Sequence, residues 1–267
     1  MPLIVSLTTI PSRIENLQKV IDSILKQSIK PDRIELNLPK SYSKRSMGTV
    51  NKSVIPDGIE VYWLEEDLGP ATKVIPTILR YENEPDAQII YCDDDRVFDR
   101  DWIRRLTETS HRNPHSCIAE SGYNIESHRH RTYWKSRKIT YKILRLLTLG
   151  QFKAGTAGNG NIDIAEGYAG VLIKPRFLKN AAIKIPDILW TVDDIWISGL
   201  LAYNNINIIE TSRCSKVGSE DLVIEGDSMS DKDALRNFVY DDHDRTTSDE
   251  LCIKYMQENF QVWQHSK

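Results

Sequence analysis

Apolar runs alternate with amphipathic segments along the first 115 residues of this 267-residue chain. Short runs rich in β-branched and other apolar residues predict strands at 3–9, 34–38, 60–64 and 87–92. Apolar residues spaced three or four apart predict helices at 17–25, 70–81 and 99–106. Strands that alternate with helices form a mainly parallel sheet with helices on its faces. The predicted fold class is therefore α/β.

The second half of the chain is less regular. Short apolar runs predict strands at 168–173 and 207–210. Helical spacing predicts helices at 192–203 and 248–259. Polar and glycine-containing sequence separates these elements, so we expect an irregular half that ends in a helix.

Composition narrows the class of protein but does not specify its chemistry. The chain is 40% hydrophobic and 27% charged, as in ordinary globular proteins, and its net charge is −3. That charge gives no indication of nucleic acid as a partner. No apolar stretch reaches the roughly 20 residues that cross a bilayer. The four cysteines show no CxxC spacing, which favours reduced thiols and a cytoplasmic protein.

Three consecutive carboxylates, Asp93, Asp94 and Asp95, directly follow the apolar run 87–92. Ligands of open α/β sheets bind at the carboxyl ends of the strands. Adjacent carboxylates repel one another, and Mg²⁺ and Mn²⁺ accept carboxylate oxygens while keeping positions for substrate phosphates. The pattern predicts a divalent-metal site that holds a phosphorylated ligand. A solvated acidic turn, or a cluster at a helix N-terminus, is the alternative.

The spacing of the three aspartates also predicts their directions. Side chains alternate along an extended backbone, so Asp93 and Asp95 should lie on one side and Asp94 on the other. On this interpretation, Asp93 and Asp95 share a metal, or hold a metal and a ribose between them.

The aspartates after a buried strand resemble the DxD motif of GT-A glycosyltransferases. Other segments are similar, in the same order, to segments of bacterial polysaccharide glycosyltransferases: SLTTIPSR at 6–13, LGPATK at 68–73, GYAGV at 167–171 and VDDIW at 192–196. The resemblance spans roughly residues 3–205. It implies a single GT-A domain over 1–267, with a Rossmann-like donor half at 1–115 and an irregular acceptor half at 116–267.

The resemblance implies roles for the acidic triad and for one histidine. Asp93 and Asp95 would hold Mn²⁺ or Mg²⁺ against a nucleotide-sugar diphosphate, with Asp95 in direct coordination and Asp93 nearer the ribose or a metal-bound water. Asp94 would also contact the donor. His243 would complete the metal site, as a C-terminal histidine does in some GT-A enzymes. A surface histidine in an acidic loop is the alternative for His243.

Four further residues are predicted on the donor side. Lys73 would sit at a helix start and attract the diphosphate, although an exposed helix lysine is the alternative. Arg13 would contact the base or a phosphate. Thr8 and Thr9 would line the base pocket, and ordinary strand and capping chemistry is the alternative for both.

The acceptor side is predicted around a second acidic pair. Asp194 would be the general base of an inverting displacement, and Asp193 would bind the acceptor. Stabilisation of a helix dipole is the alternative for this pair. Gly167, Tyr168 and Gly170 would form an acceptor-side turn, for which a plain turn before a strand is the alternative. A retaining route needs a nucleophile that the sequence does not identify.

The predicted activity is transfer of a hexose or related sugar from a nucleotide-diphosphate donor to a glycan or glycolipid hydroxyl in surface polysaccharide synthesis. The preferred donor is a UDP-sugar. The rivals are a nucleotidyltransferase acting on sugar phosphates and a non-catalytic protein that binds sugars or nucleotides. The basic stretch 135–145 would lie on anionic lipid at the inner face of the membrane. An ordinary surface helix, or a cover over the donor diphosphate, explains that stretch equally well.

Overall fold

A computed structural model gives the three-dimensional arrangement of this chain. It describes residues 1–42, 48–126, 146, 160–179, 184–211 and 245–264. Two predicted features, His243 and the basic stretch 135–145, lie outside these residues.

The main element is an eight-stranded sheet in the order β3-β2-β1-β4-β9-β5-β10-β7. Its strands are β1 Leu3–Leu7, β2 Arg33–Pro39, β3 Glu60–Leu64, β4 Gln88–Tyr91, β5 Cys117–Ala119, β7 Asn161–Ile162, β9 Val171–Ile173 and β10 Ile208–Glu210. Strand β9 runs antiparallel to both β4 and β5, and β7 runs antiparallel to β10. The remaining pairs are parallel. A separate two-stranded sheet joins β6 Gly122–Tyr123 to β8 Ile164–Ala165.

Five α-helices flank the sheet within the described residues. They are α1 Leu17–Leu25, α2 Ile75–Arg80, α3 Trp102–Arg112, α4 Asp193–Tyr203 and α5 Arg245–Phe260. None of them combines the length and the apolar character that a membrane span requires. The mixed, mostly parallel sheet between helices confirms the predicted GT-A type of architecture.

The single helix predicted over 70–81 is wrong in its first half. A 3₁₀ turn spans Gly69–Lys73, and the α-helix begins only at Ile75. Pro76 explains the division, because a proline has no N–H to donate to the preceding turn and restricts the residue before it. Lys73 therefore ends a 3₁₀ turn and does not begin an α-helix.

Alternate strand residues enter two apolar layers, one on each face of the sheet. Ile89 and Tyr91 of β4 lie in one layer, and Ile90 lies in the other. Helices α2, α4 and α5 cover the first layer, and α1 and α3 cover the second. Because both faces of the sheet are covered, its central strands are apolar on both sides.

One edge of the sheet collects the segments singled out in the sequence. Strands β1 and β4 are parallel neighbours, with Ser6 opposite Tyr91, so the residues that follow them emerge side by side. Because β9 is antiparallel to β4 and Tyr91 pairs with Val171, the turn that precedes β9 reaches the same edge. The acidic triad and the glycine turn, far apart in sequence, are therefore neighbours in the fold.

Candidate active site

Asp94 is held by residues that follow β1. Its carboxylate accepts hydrogen bonds from the Thr9 hydroxyl and from Arg13 Nη1, the latter at 2.9 Å. Arg13 Nη1 also lies 3.5 Å from Asp95 Oδ2. Burial lowers the pKa of Arg13, but the charges of Asp94 and Asp95 outweigh it and raise that pKa. Asp94 is buried, so its main contacts are with the protein.

The two threonines predicted to line a base pocket also make internal contacts. The Thr8 hydroxyl donates to the carbonyl of Asn37 at 2.7 Å, and the carbonyl of Thr9 accepts from the Tyr42 hydroxyl at 2.7 Å. These bonds fix the end of β1 against β2 and the loop that follows. Their roles in binding a base stay predictions.

Lys73 connects the two acidic motifs. Its ammonium Nζ lies 2.6 Å from Asp93 Oδ1 and 2.9 Å from Asp193 Oδ2. The side chain is only 4% exposed. Burial lowers the pKa of Lys73, but Asp193, Asp93 and Asp194 together raise it well above the ordinary value. Lys73 is therefore a buried cation shared by carboxylates from the segment after β4 and from the start of α4, a pairing that the sequence did not suggest.

Asp194 is oriented by the glycine turn. The backbone N–H of Gly167 donates to Asp194 Oδ1 at 2.9 Å. A Cβ at Gly167 would come within 2.9 Å of that oxygen and 3.1 Å of Lys73 Nζ. Glycine is therefore needed here so that the backbone can approach Asp194 and Lys73 closely.

The predicted directions of the acidic triad are wrong. Asp94 and Asp95 both contact Arg13, whereas Asp93 contacts Lys73. The prediction assumed an extended backbone, but β4 ends at Tyr91 and the chain turns at Asp94 and Asp95. The alternation of side chains across a strand no longer applies after that point.

Asp95 is the most accessible carboxylate of the triad, at 44% side-chain exposure. Partial burial of the carboxyl group and the neighbouring charges of Asp93 and Asp94 raise its pKa to about 6. A bound cation would relieve the same repulsion that raises this pKa.

The fit of this site to a divalent metal rests on Asp95. The described part of the chain contains no group of three or more acidic, histidine or cysteine side chains arranged to hold a metal. Asp93 and Asp94 are already paired with Lys73 and Arg13. One carboxylate together with substrate phosphates is a usual way to hold Mg²⁺, so Asp95 fits. Coordination by Asp93 and His243 stays a prediction.

Comparison with known families agrees with this geometry. Residues 9–169, more than half of the chain, match the model of glycosyl transferase family 2. The chain belongs to this family of glycosyltransferases. No curated protein matches the sequence.

Solved structures similar to this transferase share little sequence with it. Residues 1–349 of S. aureus TarS match at 10% identity and a TM-score of 0.45, over 79% of this chain and 58% of that one. The same TarS fragment in complex with UDP matches at 10% identity and 0.42, with the same coverage. 4-Diphosphocytidyl-2C-methyl-D-erythritol synthase matches at 12% and 0.46, over 87% and 97%. The transferase thus spans little more than half of the TarS fragment.

Gly170 of the transferase is required by packing. Its φ is +104°, and a Cβ there would come within 2.4 Å of the Trp102 ring. The indole N–H of Trp102 donates to the carbonyl of Ala169 at 2.8 Å, which fixes the ring against the turn. Contact between Gly170 and an acceptor stays a prediction.

Replacement of Gly170 should show how much of its requirement comes from backbone strain and how much from steric conflict with Trp102. Gly170→Ala is expected to destabilise the transferase by about 1–3 kcal/mol from the backbone strain alone, with an added cost from Trp102. Gly48→Ala is the matched control, because Gly48 has φ +76° and nothing within 4 Å of its Cβ position. Urea unfolding measures both. Equal losses in the two variants would show that Trp102 yields without cost.

Tyr168 belongs to a polar group that the sequence did not identify. Its hydroxyl donates to Glu166 Oε2 at 3.1 Å, and the Ser121 hydroxyl donates to the same oxygen at 2.7 Å. The guanidinium of Arg96 lies 4.0 Å from the centre of the Tyr168 ring. Burial and the charge of Glu166 raise the pKa of Tyr168 to about 12, so its hydroxyl stays protonated. Arg96 directly follows the acidic triad in the sequence, and this position could have indicated that Arg96 lies at the site.

Proposed function

We propose that this family 2 enzyme transfers a sugar from a UDP-sugar to a hydroxyl of a glycan or glycolipid. The observation that carries the proposal is the position of Lys73, whose ammonium lies within 3 Å of both Asp93 and Asp193. These residues are 100 positions apart in the sequence. One compact edge of the sheet therefore offers carboxylates both for a donor and for an acceptor.

The charge of this edge favours a divalent cation. Among the residues that the structure describes, this edge brings five carboxylates to three cationic side chains: Asp93, Asp94, Asp95, Asp193 and Asp194 against Arg13, Lys73 and Arg96. An anionic donor binds poorly to such a surface unless positive charge is added. Mn²⁺ or Mg²⁺, when bound, supplies stabilisation of the negative charge that develops on the departing nucleoside diphosphate. Asp95 would hold the ion, and Asp93 and His243 are the further proposed ligands.

The protein side of the reaction is assigned to Asp194. The acceptor oxygen attacks the anomeric carbon, the bond from that carbon to the diphosphate oxygen breaks, and the acceptor proton passes to Asp194. Its hydrogen bond from the Gly167 N–H holds the carboxylate in one orientation during this transfer. The single displacement inverts the anomeric configuration.

The test is a panel of UDP-sugars assayed with and without Mn²⁺. Metal-dependent release of the sugar to water or to an acceptor is the expected result. Release of pyrophosphate from a nucleoside triphosphate and a sugar phosphate would instead identify a nucleotidyltransferase. Binding of UDP-sugars without turnover would identify a non-catalytic protein.

The biological setting proposed is surface polysaccharide synthesis at the inner face of the membrane. The basic stretch 135–145, which lies outside the described residues, would bind the anionic membrane surface and bring the enzyme to a lipid-linked acceptor. Vesicle sedimentation with anionic and with neutral lipids tests that contact, and equal binding to both would contradict it.

The raised pKa of Asp95 predicts how metal affinity depends on pH. A proton competes with the metal for this carboxylate, so affinity should be highest above pH 6 and fall as the pH decreases through 6. Titration calorimetry with Mn²⁺ in the presence of UDP should show about tenfold weaker binding at pH 5 than at pH 7. Asp95→Asn should bind weakly at both.

The control for this titration is Asp57→Asn, which alters an exposed carboxylate in the loop before β3. This variant should follow the wild-type pH profile. If Asp95→Asn also keeps the tenfold difference between pH 5 and pH 7, another group holds the metal.

A further inference from the structure

A cavity of about 170 Å³ opens beside the candidate active site. Its walls include Arg96, Phe98, Trp102, Glu120, Ser121 and Tyr168. We call it the Phe98 cavity. Arg96 directly follows the proposed metal ligand Asp95, and Tyr168 directly follows Gly167, whose N–H holds Asp194. The cavity is therefore bordered by neighbours of both the metal ligand and the proposed base.

The size of the Phe98 cavity limits what it binds. At about 30 Å³ per water molecule, it holds roughly five or six waters. Pockets for larger ligands such as drugs typically occupy about 300–1,000 Å³. A complete nucleotide-sugar is therefore too large, whereas one sugar ring is of the appropriate scale.

The walls of the cavity combine aromatic surface with polar groups. Phe98 stacks on Trp102 with ring centres 3.9 Å apart, and the Tyr168 ring adds a second aromatic surface. The C–H face of a sugar ring packs against such surfaces while its hydroxyls need polar partners. Glu120 Oε2, which accepts from Arg105, can accept a further hydrogen bond, and the Ser121 hydroxyl, which donates to Glu166, can accept one.

The charged groups of the cavity are balanced and held in place. Arg105 donates to Asp99 at 2.7 and 2.8 Å and to Glu120 at 3.0 and 3.1 Å. Two arginines, Arg96 and Arg105, thus stand against two carboxylates in the cavity wall. This balance gives no net attraction to an anion, and the fixed side chains reduce the cost of ordering them around a ligand.

We propose that the Phe98 cavity binds an uncharged sugar ring of the acceptor. This inference rests on the proposed transferase function and adds to it where the sugar ring of the acceptor binds and that this ring is uncharged. Phe98 would pack against the face of the ring, and Glu120 and Ser121 would bond its hydroxyls.

The test measures binding of methyl glycosides to the full chain by NMR titration, with the affinity for UDP measured in parallel. The probes are methyl glucoside, methyl galactoside, methyl mannoside, methyl N-acetylglucosaminide and methyl glucuronide. At least one uncharged glycoside should bind, and should bind more tightly than the glucuronide. Phe98→Ala should weaken that binding about tenfold, and Ser121→Ala about fivefold, while UDP affinity changes less than twofold.

Two comparisons separate loss of the site from loss of the fold. Phe98→Leu keeps an apolar side chain of similar size without an aromatic face, so it should retain the melting temperature and still bind the glycoside weakly. Tyr203→Ala removes an exposed aromatic side chain at the far end of α4 and should bind normally.

The proposal is overturned if no glycoside binds the wild type, if Phe98→Ala binds as the wild type does, or if the glucuronide binds best. Impaired UDP binding in a stable Phe98→Ala variant would assign the cavity to the donor and would also overturn it. Glycoside binding without UDP-sugar turnover would reject the transferase function but not the sugar site. Turnover without glycoside binding would reject the sugar site alone.

Discussion

Asp194→Asn should reduce sugar transfer by about 10²–10⁴-fold, which is the usual contribution of a general base. Asparagine has nearly the same shape, and its amide oxygen still accepts the Gly167 N–H that now donates to Asp194 at 2.9 Å. The fold and the donor site should therefore persist. Turnover of a UDP-sugar with an acceptor measures the loss, and calorimetry should give a UDP affinity within about twofold of the wild type.

Asp193→Asn is the matched comparison, because it alters the adjacent carboxylate. Asp193 is ion-paired with Lys73 at 2.9 Å, so its replacement should act on stability and on the KM for the acceptor more than on kcat. If Asp194→Asn transfers sugar at the wild-type rate while Asp193→Asn does not, the base is Asp193. If both variants are active, the proton leaves by another route.

Much of the fold followed from the periodicity of apolar residues. The apolar run 87–92 is too short for a helix and was predicted as a strand, which is β4. The helical spacing of Leu17, Val20 and Ile24 matches the buried face of α1. Such local patterns depend on residues close together in sequence, so one chain is sufficient to reveal them. The break before α2 was also readable, because Pro76 forbids a continuous helix.

The contacts within the site could not be predicted from local patterns in the sequence. Arg13 and Thr9, whose contacts with the donor stay predictions, both bind Asp94, and the sequence did not indicate that partner. The parallel pairing of β1 with β4 brings them together, and it was expected only in general form. The pairing of Lys73 with Asp193 depends in addition on where α4 packs, which no local pattern specifies. The residue types therefore predicted that the site lies at this edge of the sheet, but not which side chains pair with one another there.

Lys73→Met should produce the largest loss of stability among the substitutions considered. Lys73 is buried and lies against Asp93 and Asp193, so its removal leaves the buried Asp193 and the half-buried Asp93 without their cation. Removing one partner of a buried ion pair typically costs about 3–5 kcal/mol. Urea unfolding at pH 7 measures this loss. Lys19→Met alters an exposed lysine of α1 and should stay within about 0.5 kcal/mol of the wild type.

The dependence on pH identifies the cause of that loss. Burial raises the pKa of Asp93, but Lys73 outweighs burial and lowers that pKa below its ordinary value in the folded protein. The stability from this pair is therefore present above pH 4 and is lost as the pH falls further. In Lys73→Met the carboxylates can instead accept protons, so the difference between variant and wild type should narrow from pH 7 toward pH 4.

A double variant tests whether the ion pair itself stabilises the protein. Lys73→Met combined with Asp193→Asn removes a charge from each side, so it should lose less stability than the sum of the two single variants. The coupling energy from this cycle measures the interaction between the motif after β4 and the start of α4. If the losses simply add, Lys73 acts through its packing, and the two acidic motifs are held together by the surrounding apolar layer alone.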